Sequence, residues 1–255
     1  MLRKLFHLRY FLFFITCFFY LFSFSQSLTE NSTDLSLKQK RNFSRLIITV
    51  DGGIGRLIGD VKSAEYFLTA FGITSEQSER YYSDYKSGWQ AGASMYYFVT
   101  PNWGIGVDYN FFTTGSSFMG YIEEREYLNK FYGKFSETIY TNFAGLSVLR
   151  NQRLGARWNL FGKFTQGKCF YRNEVQTIIL PELYTADAKA YKLEAGTAYQ
   201  LNPHISIALS AAYFRAFLFN VDKNDGTSTT TIDLRESGVE DLGRFNLSAG
   251  IQIYF

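Results

Sequence analysis

Eight segments of alternating apolar and polar residues, each near the length of a tilted membrane-crossing strand, predict an all-β fold. The class expected is an eight-stranded antiparallel transmembrane up-and-down β-barrel. Two further observations point the same way. Connections between the segments are alternately short and long, and aromatic residues gather at the ends beside the short turns. A soluble meander, whose two ends meet the same water, has no reason for either asymmetry.

The elements follow in chain order. Arg3, Lys4 and Arg9 form a basic start, and Phe11 to Phe24 is a predominantly apolar run, long enough for an export signal but too short to cross a bilayer comfortably. Ser23 and Ser25 are the small residues expected before a cut at Gln26. A retained anchor is the alternative, which the shortness of the run disfavours; lipidation at Cys17 fits worse still, since "CFFYLF" continues the apolar run where a polar tether would begin. The expected organisation is a signal peptide over 1–25, a polar leader over 26–43 and a barrel over 44–255. Removing 1–25 takes away three basic residues and no acid, leaving 23 of each sign. The basic balance therefore belongs to the signal, and nucleic acid is not an expected partner. One cysteine, Cys169, remains, so no internal disulfide can form.

The eight predicted strands are Leu46–Leu57, Gly88–Phe98, Trp103–Phe112, Tyr140–Leu149, Arg157–Phe170, Ala190–Gln200, Ile205–Phe217 and Arg244–Phe255. Strands two and three are joined by "VTPN", four and five by "RNQRLGA", six and seven by "LNPH". The remaining connections, Ile58–Ser87, Thr113–Ile139, Tyr171–Lys189 and Leu218–Gly243, are long. In the third strand Trp103, Ile105, Val107, Tyr109 and Phe111 share one face, opposite Gly104, Gly106, Asp108 and Asn110. In the last, Phe245, Leu247, Ala249, Ile251, Ile253 and Phe255 oppose Asn246, Ser248, Gly250, Gln252 and Tyr254. The register of strand four is ambiguous around "TNFAGLSV". Tyr97, Phe98, Trp103, Trp158, Tyr199, Tyr254 and Phe255 are expected in an interfacial girdle. The small polar face then lines a narrow interior, and the last strand must pair with the first, because an unpaired backbone group in hydrocarbon costs several kcal/mol.

"YYFVTPNWGIGVDYNFF" and "YKLEAGTAYQLNPHISIALSAAY" resemble the strand–turn–strand units of small porin-like outer-membrane barrels, the outer membrane protein A/X-like group common in Bacteroidota. "LSAGIQIYF" is similar to the terminal strand by which the barrel assembly machinery recognises its clients. The resemblance covers roughly residues 44–255 and implies one bacterial outer-membrane domain, in most members without enzymatic activity. It also implies that Ile251, Ile253, Tyr254 and Phe255 carry the assembly signal. The long loops depart from the shortest members.

Candidate chemistry is sparse. Enzymes built on such barrels use a histidine near the outer rim as base or shuttle. Here His7 leaves with the signal and His204 sits in a short turn. One histidine and one cysteine cannot make a nitrogen/sulfur metal site. Asp222, Asn224 and Gly226 lack the further ligands of a calcium loop. "DGGIG" at 51–55 lacks the helix that would bind an anion, so its glycines are expected to let the strand bend or pack closely. Cys169 is expected at the outer end of strand five as a small filler. No catalytic residue, metal or cofactor is expected.

By parity Asp51, Asp108 and Glu194 face the interior with Lys163 and Lys192, which predicts a paired polar network, read either as a plug or as a conductive path. "SAEYFLTAFG", "ERYYSDY" and "REYLNKFYGKF" fill the long connections with aromatics, either as binding loops or as strands continued beyond the membrane; "SAEYFLTAFG" could instead be a short helix. The expected function is non-enzymatic, structural or interacting through the outer loops. The alternatives are a narrow channel for small solutes and an accessory barrel of a secretion system. Expected partners are outer-membrane lipid and lipopolysaccharide, the barrel assembly machinery and a surface ligand, and the barrel is expected to be monomeric.

Overall fold

The computed structural model describes residues 44–58, 75–124, 129–177 and 181–255. The signal and leader expected over 1–43, and the segment 63–72, lie outside the described residues. Eight strands close into an antiparallel ring: β1 (Leu46–Leu57), β2 (Ser87–Phe98), β3 (Trp103–Glu124), β4 (Asn129–Arg153), β5 (Trp158–Gln176), β6 (Pro181–Asn202), β7 (Ile205–Leu218) and, last in the chain, β11 (Arg244–Tyr254). Each pairs with its sequence neighbour in the ring, and β11 closes on β1 from Ile47↔Tyr254 to Leu57↔Arg244. Closure satisfies the backbone of every wall strand, which is what permits this fold inside hydrocarbon.

The outer face is apolar. Leu146 is 76% exposed, and Val50, Ile54, Trp89, Leu209, Leu247 and Ile251 are each more than half exposed. Such a belt would be a severe liability in water and is the surface that lipid requires. The register of β4 is resolved by its pairing: Thr141, Phe143 and Ser147 point inward, while Ala144, Leu146 and Val148 point out.

The girdle needs a correction. Tyr97, Trp103, Trp158 and Phe255 do lie exposed at the short-turn end. Phe98 and Tyr254 do not, being 3% and 7% exposed inside the barrel. Strand alternation explains this, since each follows an outward residue by one position. With Ile47, Tyr96, Leu149, Phe161, Ala198 and Ala208 they form an apolar floor across the barrel.

The long connections also differ from plain loops. Strands β3 to β6 run 19–25 residues, against 11–14 for β1, β2, β7 and β11. Pairing of β3 with β4 continues from Trp103↔Arg150 to Glu124↔Asn129, and that of β5 with β6 to Gln176↔Pro181. Ten residues beyond a crossing add roughly 25 Å of height at a tilt of about 40°. Two short strands, β8 (Asn220–Asn224) and β9 (Thr229–Asp233), extend this raised sheet along β6. Their turn is held by Asp225, whose Oδ1 accepts from the backbone of Thr227 and Ser228, with Gly226 at φ +88°. The Thr227 hydroxyl, donating to the same oxygen at 2.8 Å, and these backbone hydrogen bonds hold the Asp225 carboxyl well below the usual range.

A helix stands at the long-hairpin end: α1 (Ser75–Lys86), running directly into β2. Its sequence is polar, with an exposed Glu76–Arg80 pair one turn apart, so packing rather than propensity holds it. A one-turn helix, α2 (Leu234–Ser237), capped by Asp233, and the two-residue β10 (Glu240–Asp241) complete the chain; β10 pairs with the end of β7. Gly53 shows why the first strand needs glycine, because a Cβ there would sit 1.9 Å from the Leu247 carbonyl oxygen of β11.

Candidate functional site

The interior is a stack of four layers. Above the apolar floor lies an ionic layer. Lys192 Nζ is 2.6 Å from Asp108 Oδ2 and 3.2 Å from Glu194 Oε2, and Lys163 Nζ is 2.9 Å from Glu194 Oε1. All four residues are at most 6% exposed. Two carboxylates face two ammonium groups, so the layer carries no net charge. Lys163 also lies over the rings of Phe161 and Tyr96, at 5.2 and 5.7 Å. Hydroxyls fill the remaining valences: Thr165 Oγ1 donates to Asp108 Oδ2 at 3.3 Å, and Tyr96 and Ser147 share a 2.9 Å hydrogen bond.

Asp51, grouped with these residues by parity, lies elsewhere. It faces inward but accepts from Gln90 Nε2 at 3.0 Å, in a third layer built of amides. Gln90 Oε1 accepts from Asn110 Nδ2, and Asn110 Oδ1 accepts from Arg244 Nη2 at 2.7 Å. A continuous relay of aligned amide dipoles therefore joins the buried Arg244 guanidinium to the Asp51 carboxylate. Parity fixes the side of the wall a residue faces, not its height, and the pairing register sets Asp51 level with Asn110, two residues along β3 from Asp108. Arg244 is fully buried, 3.8 Å over the Phe214 ring and 4.6 Å over Phe112, and it donates to Thr141 Oγ1 at 3.1 Å.

The fourth layer is apolar again: Phe112, Ile139, Phe143, Cys169, Ala188, Ala190, Phe214 and Leu218 pack as in a soluble core. Cys169 belongs here rather than at a strand end, because β5 continues to Gln176; its thiol is free and fully buried.

Above this layer α1 forms a roof. Tyr81 and Tyr85, one turn apart and stacked at 5.9 Å, point down from it. Their hydroxyls donate to the two oxygens of Glu137, at 2.8 and 3.1 Å, and Asn173 Nδ2 donates to Glu137 Oε1 at 2.5 Å. Glu137 is 5% exposed, so three donors satisfy a buried carboxylate that has no ion pair among the described residues. Tyr81 packs edge-on against Phe118, and Thr114 Oγ1 donates to the Tyr85 carbonyl oxygen at 2.7 Å. Burial, with the Glu137 carboxylate adding, pushes both tyrosine hydroxyls far above their usual range. Burial likewise raises Glu240 to about 7, with the nearby Glu137 and Asp241 carboxylates contributing.

Sequence parity thus placed Asp108, Lys163, Lys192 and Glu194 on the interior, and the structure brings those four into contact. Tyr81, Tyr85, Glu137 and Arg244 went unselected. The signal for the first two was their i, i+4 spacing in "ERYYSDY", and for Arg244 its parity with Asn246. At the chain's end, Ile251, Ile253 and Phe255 face lipid, whereas Tyr254 turns inward and donates to Gln252 at 2.9 Å. His204 lies at the short-turn end, where its backbone N–H donates to Asn202. No cluster of metal-ligating side chains occurs among the described residues.

No family model matches the chain, and no curated protein matches it. Its structural neighbours are small outer-membrane β-barrel proteins. One is a major outer membrane protein from Thermus thermophilus, with 14% identity, a TM-score of 0.49, and coverage of 82% of this chain and 99% of that chain. The outer membrane protease OmpT from Escherichia coli gives 10% identity and a TM-score of 0.46, over 86% and 99%. Neisserial surface protein A gives 12% identity and a TM-score of 0.43, over 82% and 97%.

Proposed function

We propose that this protein is a non-enzymatic integral barrel of a bacterial outer membrane, exported by an N-terminal signal, and that it acts through its raised outer sheet rather than through its lumen. The observation that carries this reading is the filled interior. An apolar floor, an ionic layer, an amide layer and an apolar upper core follow one another beneath a helical roof. A solute would have to displace Tyr96 and Phe98 at one end and Tyr81 and Tyr85 at the other, all at most 3% exposed. The charged lumen groups each have an ionic or hydrogen-bonding partner, which suits a plug that stabilises and specifies the fold. What remains for function is the wall of β3–β6 with β8 and β9 standing above the membrane, in the position where surface proteins carry binding sites.

Planar-bilayer recording tests the closed lumen. The purified barrel is expected to give no stable conductance, and an ohmic step abolished by Lys163→Gln would overturn the plug in favour of a solute path. Replacing residues 117–135 with a short turn tests the surface role. Cell adhesion or surface-ligand capture is expected to fall while the barrel still shows heat-modifiable gel migration; unchanged binding would leave only a structural role.

A further inference from the structure

The lipid-facing wall is not uniform. Where β11, β1, β2, β3 and β4 approach their long-hairpin ends, it holds a groove of roughly 680 Å³. Its lower part is apolar, lined by Ile54, Trp89 and Leu247, and Phe245 of β11 flanks Arg56 above them. Its upper lip carries Arg56, with Ser87 paired opposite it on β2 and Thr138 further round on β4. Alternation explains the arrangement. Ile54 and Arg56 are successive outward positions of β1, and Ser87 and Trp89 of β2, so in each strand the belt ends here and polar residues begin. Arg56 is exposed and forms no ion pair among the described residues, unlike the outward-facing Lys168, which pairs with Asp187 at 2.9 Å, and Arg172, which pairs with Glu174 at 2.6 Å.

A groove on a hydrocarbon-facing belt is filled by lipid, and its place at the long-hairpin end assigns that lipid to the outer leaflet. Arg56, without an ion pair among the described residues, calls for an anion, and a guanidinium engages phosphate through two parallel hydrogen bonds. The Ser87 hydroxyl opposite Arg56, the Thr138 hydroxyl further round the lip on β4 and the Trp89 indole below suit a sugar ring better than a small glycerol headgroup. We propose that this lip binds the phosphate-bearing headgroup of an outer-leaflet glycolipid, with one acyl chain lying in the groove beneath. The inference rests on the outer-membrane reading above and gives it a partner at a defined place.

The test uses the full barrel in detergent micelles, with diphosphoryl lipid A, fully dephosphorylated lipid A and phosphatidylglycerol as separate probes and native mass spectrometry as the readout. Diphosphoryl lipid A is expected to bind about tenfold more tightly than the dephosphorylated form, as one charge-assisted contact would give. Arg56→Gln should remove that difference, while Lys134→Gln, at an exposed lysine outside the groove, should leave it intact. Trp89→Ala should weaken both lipid A forms alike. Equal binding of phosphatidylglycerol, or an unchanged preference in Arg56→Gln, would overturn the site. Heat-modifiable migration of each variant keeps folding separate from binding. A wild-type chain that never enters lipid would overturn the membrane reading and the site together, whereas a folded, inserted barrel indifferent to phosphate would overturn the site alone.

Discussion

Lys192 is the hinge of the ionic layer, and its removal gives the sharpest test of how the interior is held. It touches both Asp108 and Glu194, whereas Lys163 touches Glu194 alone. Lys192→Met leaves two buried carboxylates facing one ammonium group. Asp108 then keeps only the long hydrogen bond from Thr165. Removing one partner of a buried pair costs about 3–5 kcal/mol, because the survivor stays desolvated and uncompensated. Lys163→Met leaves Glu194 still paired with Lys192, so about 2 kcal/mol is expected, part of it from lost contact with the Phe161 and Tyr96 rings. Adding Asp108→Asn to Lys192→Met restores neutrality, with Lys163 and Glu194 as a complete pair, and should recover about half of the loss. Urea unfolding in lipid vesicles measures these differences. Trp89, Trp103 and Trp158, the three tryptophans of the chain, all face the lipid and report departure from it. Equal costs for the two lysines, or no recovery in the double variant, would refute the pairing described here.

Three further outcomes are expected. Glu137→Gln replaces one acceptor oxygen by a donor and should cost the α1 roof about 1–3 kcal/mol, read as faster amide exchange over residues 75–86 with an unchanged urea midpoint for the barrel. Glu240 keeps its proton to about 7 beside Glu137, Asp241, Tyr85 and Tyr171, well above the 4.5 of a free glutamate. A raised acid binds its proton more tightly in the docked state, so the attachment of β10 is strongest below pH 4.5 and is lost as pH rises towards 7. The span corresponds to on the order of 3 kcal/mol. Limited proteolysis of residues 218–243 across that range should show the change, and Glu240→Gln should abolish it. Phe255→Ala should slow machinery-assisted insertion several-fold while moving the urea midpoint by less than about 1 kcal/mol; an unchanged insertion rate would remove this residue from the assembly signal.

The barrel was legible because its two governing constraints are local. Alternation in "WGIGVDYNFF" and "RFNLSAGIQIYF" assigns faces residue by residue, and the short turns mark one end. Height within the barrel is not local, which is why Asp51 and Asp108 shared a face on paper but fall in different layers. The strand extensions stand in the sequence only as one of two readings of the long connections, for a related reason. In "GSSFMG", 115–120, small, polar and apolar residues mix on both faces, so no apolar belt marks the strand even though its pairing continues to Glu124. The roof was hidden because "SEQSERYYSDYK" has almost no apolar stripe, and Tyr81 and Tyr85 find their purpose only in Glu137, which lies 52 and more residues away. Phe98 and Tyr254 were misassigned by giving residue type precedence over alternation.

The interior bonds have a mechanical meaning. Neighbouring strands are joined by the wall itself, but Arg244 of β11 reaches Asn110 on β3 and Thr141 on β4, across the ring. Lys192 of β6 reaches Asp108 on β3, and Gln90 of β2 reaches Ser248 on β11 at 2.5 Å. These contacts are chords of a circle. An empty hoop of eight strands flattens easily into an ellipse, since bending it breaks no hydrogen bond. A hoop braced by such chords, one of them between the opposite strands β11 and β4, cannot flatten without stretching some chord, so lateral pressure from the bilayer meets a rigid post.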